Sequence, residues 1–219
     1  MRRAPVLTLI VVVVALLGVS SASAQAAPTF QAGAYPATIH GSSALGNEDL
    51  KLEGGSAECA TSFHAEAKEA STTLALAPSF SSCKAFGYLN ATITPNGCRY
   101  LLHATEQSAL DKYKASFDIA CEAGKAIKVV AGVCEVEVPA QSGLASVELV
   151  NDTEASPKQD ITVDLVVSAI SYKVLKDGIG CPFGGTGAKT GGSLNTNSPI
   201  TLTGQSPGSP EEKIAVGVG

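Results

Sequence analysis

From Lys112 to Asp118 the chain alternates polar and apolar residues one by one, with Tyr113, Ala115 and Phe117 set between Lys112, Lys114, Ser116 and Asp118, and Ile119 continuing the apolar series. A period of two sends successive side chains to opposite faces of an extended backbone, so one face is buried while the other meets water. That is a strand. The same signature recurs in runs bounded by Gly, Pro, Asn and Ser. Residues 127–130 and 133–138 flank Ala131 and Gly132 and predict a tight hairpin whose outer face carries Lys128, Glu135 and Glu137. The longest run, residues 160–175, holds Ile161, Val163 and Leu165 on one parity and Ile170, Tyr172 and Val174 on the other. The switch near Val166 and Val167 predicts a β-bulge or a strand passing from one sheet to another. Residues 37–40, 71–77, 88–93, 98–103, 144–151 and 199–203 complete the set. Many strands predict an all-β fold, an antiparallel β-sandwich or its barrel-like relative. Ala, Glu and Lys dominate only residues 64–70 and 106–112, so at most one or two short helices are expected.

Arg2 and Arg3, an apolar run over residues 6–17, and small residues ending in Ala22, Ser23 and Ala24 form the three-part layout of an export signal. The run is shorter than the roughly 18–20 residues of a membrane-spanning helix. Residues 1–24 are therefore expected to be cleaved, leaving a single β-rich domain over residues 25–204 and a Pro/Gly/Ser linker and tail over residues 205–219 that frays or adds an edge strand. No Cys stands at the expected cleavage site to take a lipid, so a secreted product without a stable membrane anchor is expected. The formal net charge is −5, and losing Arg2 and Arg3 makes the remainder more acidic still. An acidic surface argues against nucleic acid as a partner.

All six cysteines, Cys59, Cys83, Cys98, Cys121, Cys134 and Cys181, follow the signal. An even number in an exported chain predicts three disulfides. Their pairing is open, although Cys98 and Cys121 flank a plausible hairpin and are placed to face one another. The absence of any C-x-x-C spacing argues against a structural zinc site. Neither a metal nor a cofactor is expected.

Several patterns mimic catalytic motifs. Gly204, Gln205, Ser206, Pro207 and Gly208 match a nucleophile elbow, but Pro207 opposes the turn into a helix, and no histidine follows His103. The stretch from Gly184 to Thr190 resembles a phosphate-binding loop, yet Phe183 and Ala188 stand where that loop needs glycine. His40, His64 and His103 could meet Glu66 or Asp111, and a hydrolase would draw on His103 with Asp111 or Asp118 and a serine. Spacing does not require either cluster. Asn47, Glu48 and Asp49, and likewise Asn151, Asp152 and Glu154, offer oxygen ligands for calcium in loops without an EF-hand pattern. There is no Trp, and Tyr35, Tyr88 and Tyr100 are the tyrosines left as candidate surface contacts once Tyr113, Phe117 and Tyr172 are placed in the core.

Three strings carry a resemblance: Ala34, Tyr35, Pro36, Ala37, Thr38, Ile39, His40 and Gly41; Cys83, Lys84, Ala85, Phe86 and Gly87; and Gly180, Cys181, Pro182 and Phe183. They resemble a group of secreted, cysteine-containing β-rich proteins of high-GC Gram-positive bacteria with no established activity. The resemblance spans about residues 30–204; it implies export and a cysteine-bearing fold, and no catalytic residues. The combined expectation is a noncatalytic extracellular protein that binds through its surface, with an envelope macromolecule as the partner class. The alternatives are a hydrolase with a dispersed His/Asp/Ser site and a small-molecule carrier.

Overall fold

A computed structural model of the protein describes residues 26–43, 48–153, 160–179, 181, 183 and 185–217. The expected export signal lies outside these residues. The strands are β1 (Thr29–Ala32), β2 (Ala37–Ser43), β3 (Glu48–Leu52), β4 (Gly55–Ala67), β5 (Thr73–Ala85), β6 (Leu89–Thr94), β7 (Arg99–Ala109), β8 (Lys112–Ala120) and β9 (Ala126–Ala131). The second half adds β10 (Cys134–Pro139), β11 (Gln141–Asp152), β12 (Asp160–Asp164), β13 (Val166–Asp177), β14 (Gly187–Thr196), β15 (Ile200–Ser206), β16 (Ser209–Glu212) and β17 (Ile214–Gly217). Among the described residues there is no helix. Residues 64–70 and 106–112, where short helices were expected, lie largely in β4, β7 and β8. Helix propensity there yields to alternation, because Phe63 and Ala65 point into the core while His64 and Glu66 face out.

Register joins most of these strands end to end. Eight long runs emerge: β2 with β3, β4, β5, β6 with β7, β8 with β9, β10 with β11, β12 with β13, and β14 with β15. Each run pairs antiparallel with the next through both of its halves. Thus β5 meets β7 where Thr73 faces His103, and meets β6 where Ala85 faces Leu89. The last run returns to the first, with Thr203 opposite His40 and Ser193 opposite Lys51. The sheet is an up-and-down meander that closes on itself, the barrel form of the expected antiparallel architecture. Closure satisfies the backbone edges that an open sheet leaves bare.

Inward positions fill the closed sheet. Phe117, Leu102, Leu149, Ile161, Ile170 and Leu202 are essentially inaccessible, and Tyr100 packs edge-on to Phe117 with ring centroids 5.2 Å apart. Outward positions carry ion pairs such as Lys112 to Glu148 at 3.0 Å and Lys114 to Glu106 at 2.7 Å. Lys128 and Lys176 both hold Glu135, whose carboxyl they keep below its usual range. An apolar inside and a charged outside is the pattern of a wall facing water, the reverse of a barrel embedded in lipid. The parity change expected near Val166 and Val167 falls at Ser168 and Ala169, between the pairs Val167–Leu194 and Ile170–Gly192. It is a bulge, with Ala169 at φ 60°, and the run stays in the same closed sheet.

Both ends are closed. At one end β1 and β17 pair across the opening and bury Phe30 and Ile214. The segment expected as linker and tail is therefore structured through residue 217: its apolar Ile214 finds a core, and β16 pairs back onto β15. At the other end the Phe86 and Phe183 rings lie 5.4 Å apart and Phe183 is buried. Gly55 is needed beneath them, since a Cβ there would sit 2.2 Å from the Phe86 ring. Three disulfides, Cys59–Cys83, Cys98–Cys121 and Cys134–Cys181, lock the fold. The first two join neighbouring runs, and the expected Cys98–Cys121 pair is present. The third ties the β9–β10 turn to the loop carrying Phe183. Each contributes on the order of 2–4 kcal/mol and fits an oxidising compartment.

Because Ile214 is a plug rather than a tail residue, Ile214→Ala should lower the free energy of unfolding by about 2–5 kcal/mol. Urea denaturation measures this, and an unchanged midpoint would show that the terminal strands are dispensable.

Candidate functional site

The sequence candidates separate onto three surfaces of the barrel. One lies on the outer wall where β5, β7 and β8 run side by side. Outward alternation there aligns Thr73, His103 and Asp118, which come from three different strands. His103 Nδ1 lies 2.9 Å from Thr73 Oγ1 and its Nε2 lies 3.1 Å from Asp118 Oδ2. The other Asp118 oxygen accepts the Gly143 N–H at 2.7 Å. Of the two carboxylates expected near His103, the fold selects Asp118; Asp111 sits in the β7–β8 turn with a backbone φ of 57°. The hydroxyl is supplied by Thr73, which sequence reasoning missed. Its only signal was outward parity in a strand whose partner was unknown.

The second surface spans β15, β2, β4 and β5. His40 faces His64 across β2 and β4, with ring centroids 5.1 Å apart, and Glu66 is placed opposite Thr38. Small neighbours, Ser42, Ser62, Ala77 and Ser79, leave a groove of about 430 Å³ over this part of the wall. His103 belongs to the other surface, so the three histidines form no common cluster. Among the described residues no group of three His, Cys, Asp or Glu side chains is arranged to hold a metal ion.

The third lies at the end closed by Cys134–Cys181. Tyr88 on the β5–β6 loop is 79% exposed, Val133 on the β9–β10 turn is 54% exposed, and Ile179 after β13 is fully exposed. The loops that carry them are adjacent: Gly132 lies close to Leu89, and Gly178 lies against Val133. Tyr88 thus remains a surface contact, Tyr35 is partly exposed at the opposite end, and Tyr100 is core.

Inside the barrel one charged side chain is out of place. Glu48, whose carboxylate the sequence offers as an oxygen ligand in a turn, lies on β3 facing inward, and its Oε1 accepts the Tyr100 hydroxyl at 3.2 Å. Its Oε2 is buried without a hydrogen-bond partner. Burial pushes this carboxyl from 4.5 up to about 7, against the lowering by Thr61 and Tyr100. Asp49 is buried as well; its Oδ2 pairs with Lys51 at 3.1 Å, and its Oδ1 has no hydrogen-bond partner. Asn151 is buried at the end of β11, whereas Asn47 and Glu154 lie outside the described residues. Apolar residues from all eight runs meet beside Glu48 around a cavity of about 20 Å³. A space of this size takes one water, while ligand pockets measure roughly 300–1,000 Å³.

The motif mimics resolve into wall and turn. Ser206 donates to the Ala34 carbonyl at 3.2 Å at the end of β15, and Pro207 and Gly208 turn the chain into β16. Lys189 is on β14, 3.9 Å from Glu53. Comparison of the chain with protein-family models, with curated proteins and with solved structures finds no match.

The Glu48 carboxyl is raised in the folded state, so its neutral form is favoured there and stability falls as pH rises from about 4.5 through about 7. The loss above that range is roughly 3 kcal/mol for a fully buried group. Glu48→Gln should remove it, leaving the variant more stable than wild type at pH 8 and similar at pH 4. Urea midpoints across that range test this, and a wild-type stability flat from pH 5 to 8 would refute it.

Proposed function

We propose that this protein is a secreted, noncatalytic barrel that acts through its surface, binding a macromolecule of the cell envelope or the extracellular space. The observation carrying this reading is the rim formed by Tyr88, Val133 and Ile179 on three neighbouring loops at one end of the barrel. Clustered exposed apolar side chains mark interaction sites, and an aromatic anchor among them can supply much of the binding energy. Cys134–Cys181 holds two of the three loops together, so the rim is preorganised and little conformational freedom is lost on binding. The disulfides support export, and the packed interior weighs against a carrier role.

Sedimentation with purified peptidoglycan sacculi tests the reading. Saturable binding is expected, weakened at least about tenfold by Tyr88→Ser combined with Ile179→Ser. Absence of saturable binding, or binding indifferent to these substitutions, counts against it.

A second reading, an extracellular hydrolase, is favoured by the Thr73, His103 and Asp118 array, since an imidazole between a hydroxyl and a carboxylate can act as a general base. Against it, Thr73 lines none of the cavities described above. The reading requires hydrolysis of a simple ester such as p-nitrophenyl acetate to be lost in His103→Ala; a rate equal to that of wild type removes it.

A further inference from the structure

Alternation and register together put two imidazoles side by side on the outer wall. His40 on β2 and His64 on β4 are directly opposed and both exposed, with ring planes tilted by 51°. Neither ring nitrogen is engaged in a hydrogen bond or ion pair among the described residues. A tetrahedral metal ion bound to two imidazole nitrogens at about 2.0–2.1 Å places their ring centres roughly 5 Å apart. The observed separation of 5.1 Å needs little rearrangement to meet that geometry. The groove in front is lined by Ser62, Ser79, Thr201 and Thr203, small enough to leave the remaining coordination positions open to water. Glu66, two residues beyond His64 on the same outward parity, adds negative charge beside the pair.

We propose that His40 and His64 form an open two-histidine site for a divalent transition-metal ion of the copper and zinc class. Imidazole suits both ions, and the general order of divalent affinities makes Cu²⁺ the tighter of the two. Two rigid strands hold the ligands, so binding through the first nitrogen makes the second step intramolecular, which separates this pair from a lone surface histidine. The site is independent of the apolar rim and does not rest on the proposed envelope role. Coordination uses the neutral imidazole nitrogen lone pair.

The experiment is calorimetric titration of the purified protein with Cu²⁺ alone and with Zn²⁺ alone at pH 7.5, with thermal denaturation confirming that each variant is folded. One equivalent should bind, and His40→Gln or His64→Gln should each weaken it at least about tenfold, as expected for loss of chelation. His103→Gln should leave it unchanged. Electron paramagnetic resonance of the Cu²⁺ form should show coupling to two imidazole nitrogens. Binding that survives His40→Gln with His64→Gln, a loss smaller than tenfold, or no binding at millimolar metal would overturn the proposal.

Discussion

The structure depends on one closure, the pairing of the last long run, β14 with β15, against the first, β2 with β3. Without it the meander would be an open sheet with two long unpaired edges and an apolar face with nothing to cover it. With it, every inward side chain faces others across a shared interior. Cys59–Cys83 and Cys98–Cys121 do not make this closure, because each joins neighbours in the meander and stiffens a local hairpin. The long-range join rests on ladder hydrogen bonds and on the core residues that meet inside it.

Closure also creates two ends that need stoppers, and the chain supplies them differently. One end takes β1 and β17, so the terminal segments become part of the core through Phe30 and Ile214. The other takes Phe86 and Phe183 from loops, held by Cys134–Cys181. Anchoring those loops from beneath leaves their tips facing water, which is how Tyr88, Val133 and Ile179 come to stand exposed together. The rim is thus a consequence of how that end is plugged.

The packed interior moves any chemistry to the outside. Large side chains such as Tyr100, Phe117 and Ile170 occupy the space that a ligand would use, with the Glu48 carboxyl buried among them. On the wall, alternation exposes hydroxyls, imidazoles and carboxylates in rows across several strands. Rows of this kind bring together residues far apart in sequence, Thr73 with His103 and Asp118, and His40 with His64.

The sequence by itself determined the strand content, the inward and outward parity of most residues and the β9–β10 hairpin, and it placed Cys98 and Cys121 on the flanks of a hairpin while leaving the disulfide pairing open. These are local facts, set by a period of two and by short turns. It set the bulge two residues early and read residues 205–219 as a linker and a tail that frays or adds an edge strand, because a Ser/Pro/Gly-rich stretch looks the same whether or not a distant strand awaits it. It also described separate short strands where the sheet has long runs continuing through interruptions. Only the tertiary structure decided that β15 returns to β2, that Asp118 rather than Asp111 meets His103, that His40 meets His64, and that Glu48 turns inward. Each of these depends on register between paired strands, local for β7 with β8 and long-range for β15 with β2, or on what fills the centre of a closed sheet. Register is a property of pairs of strands, and no single strand contains it.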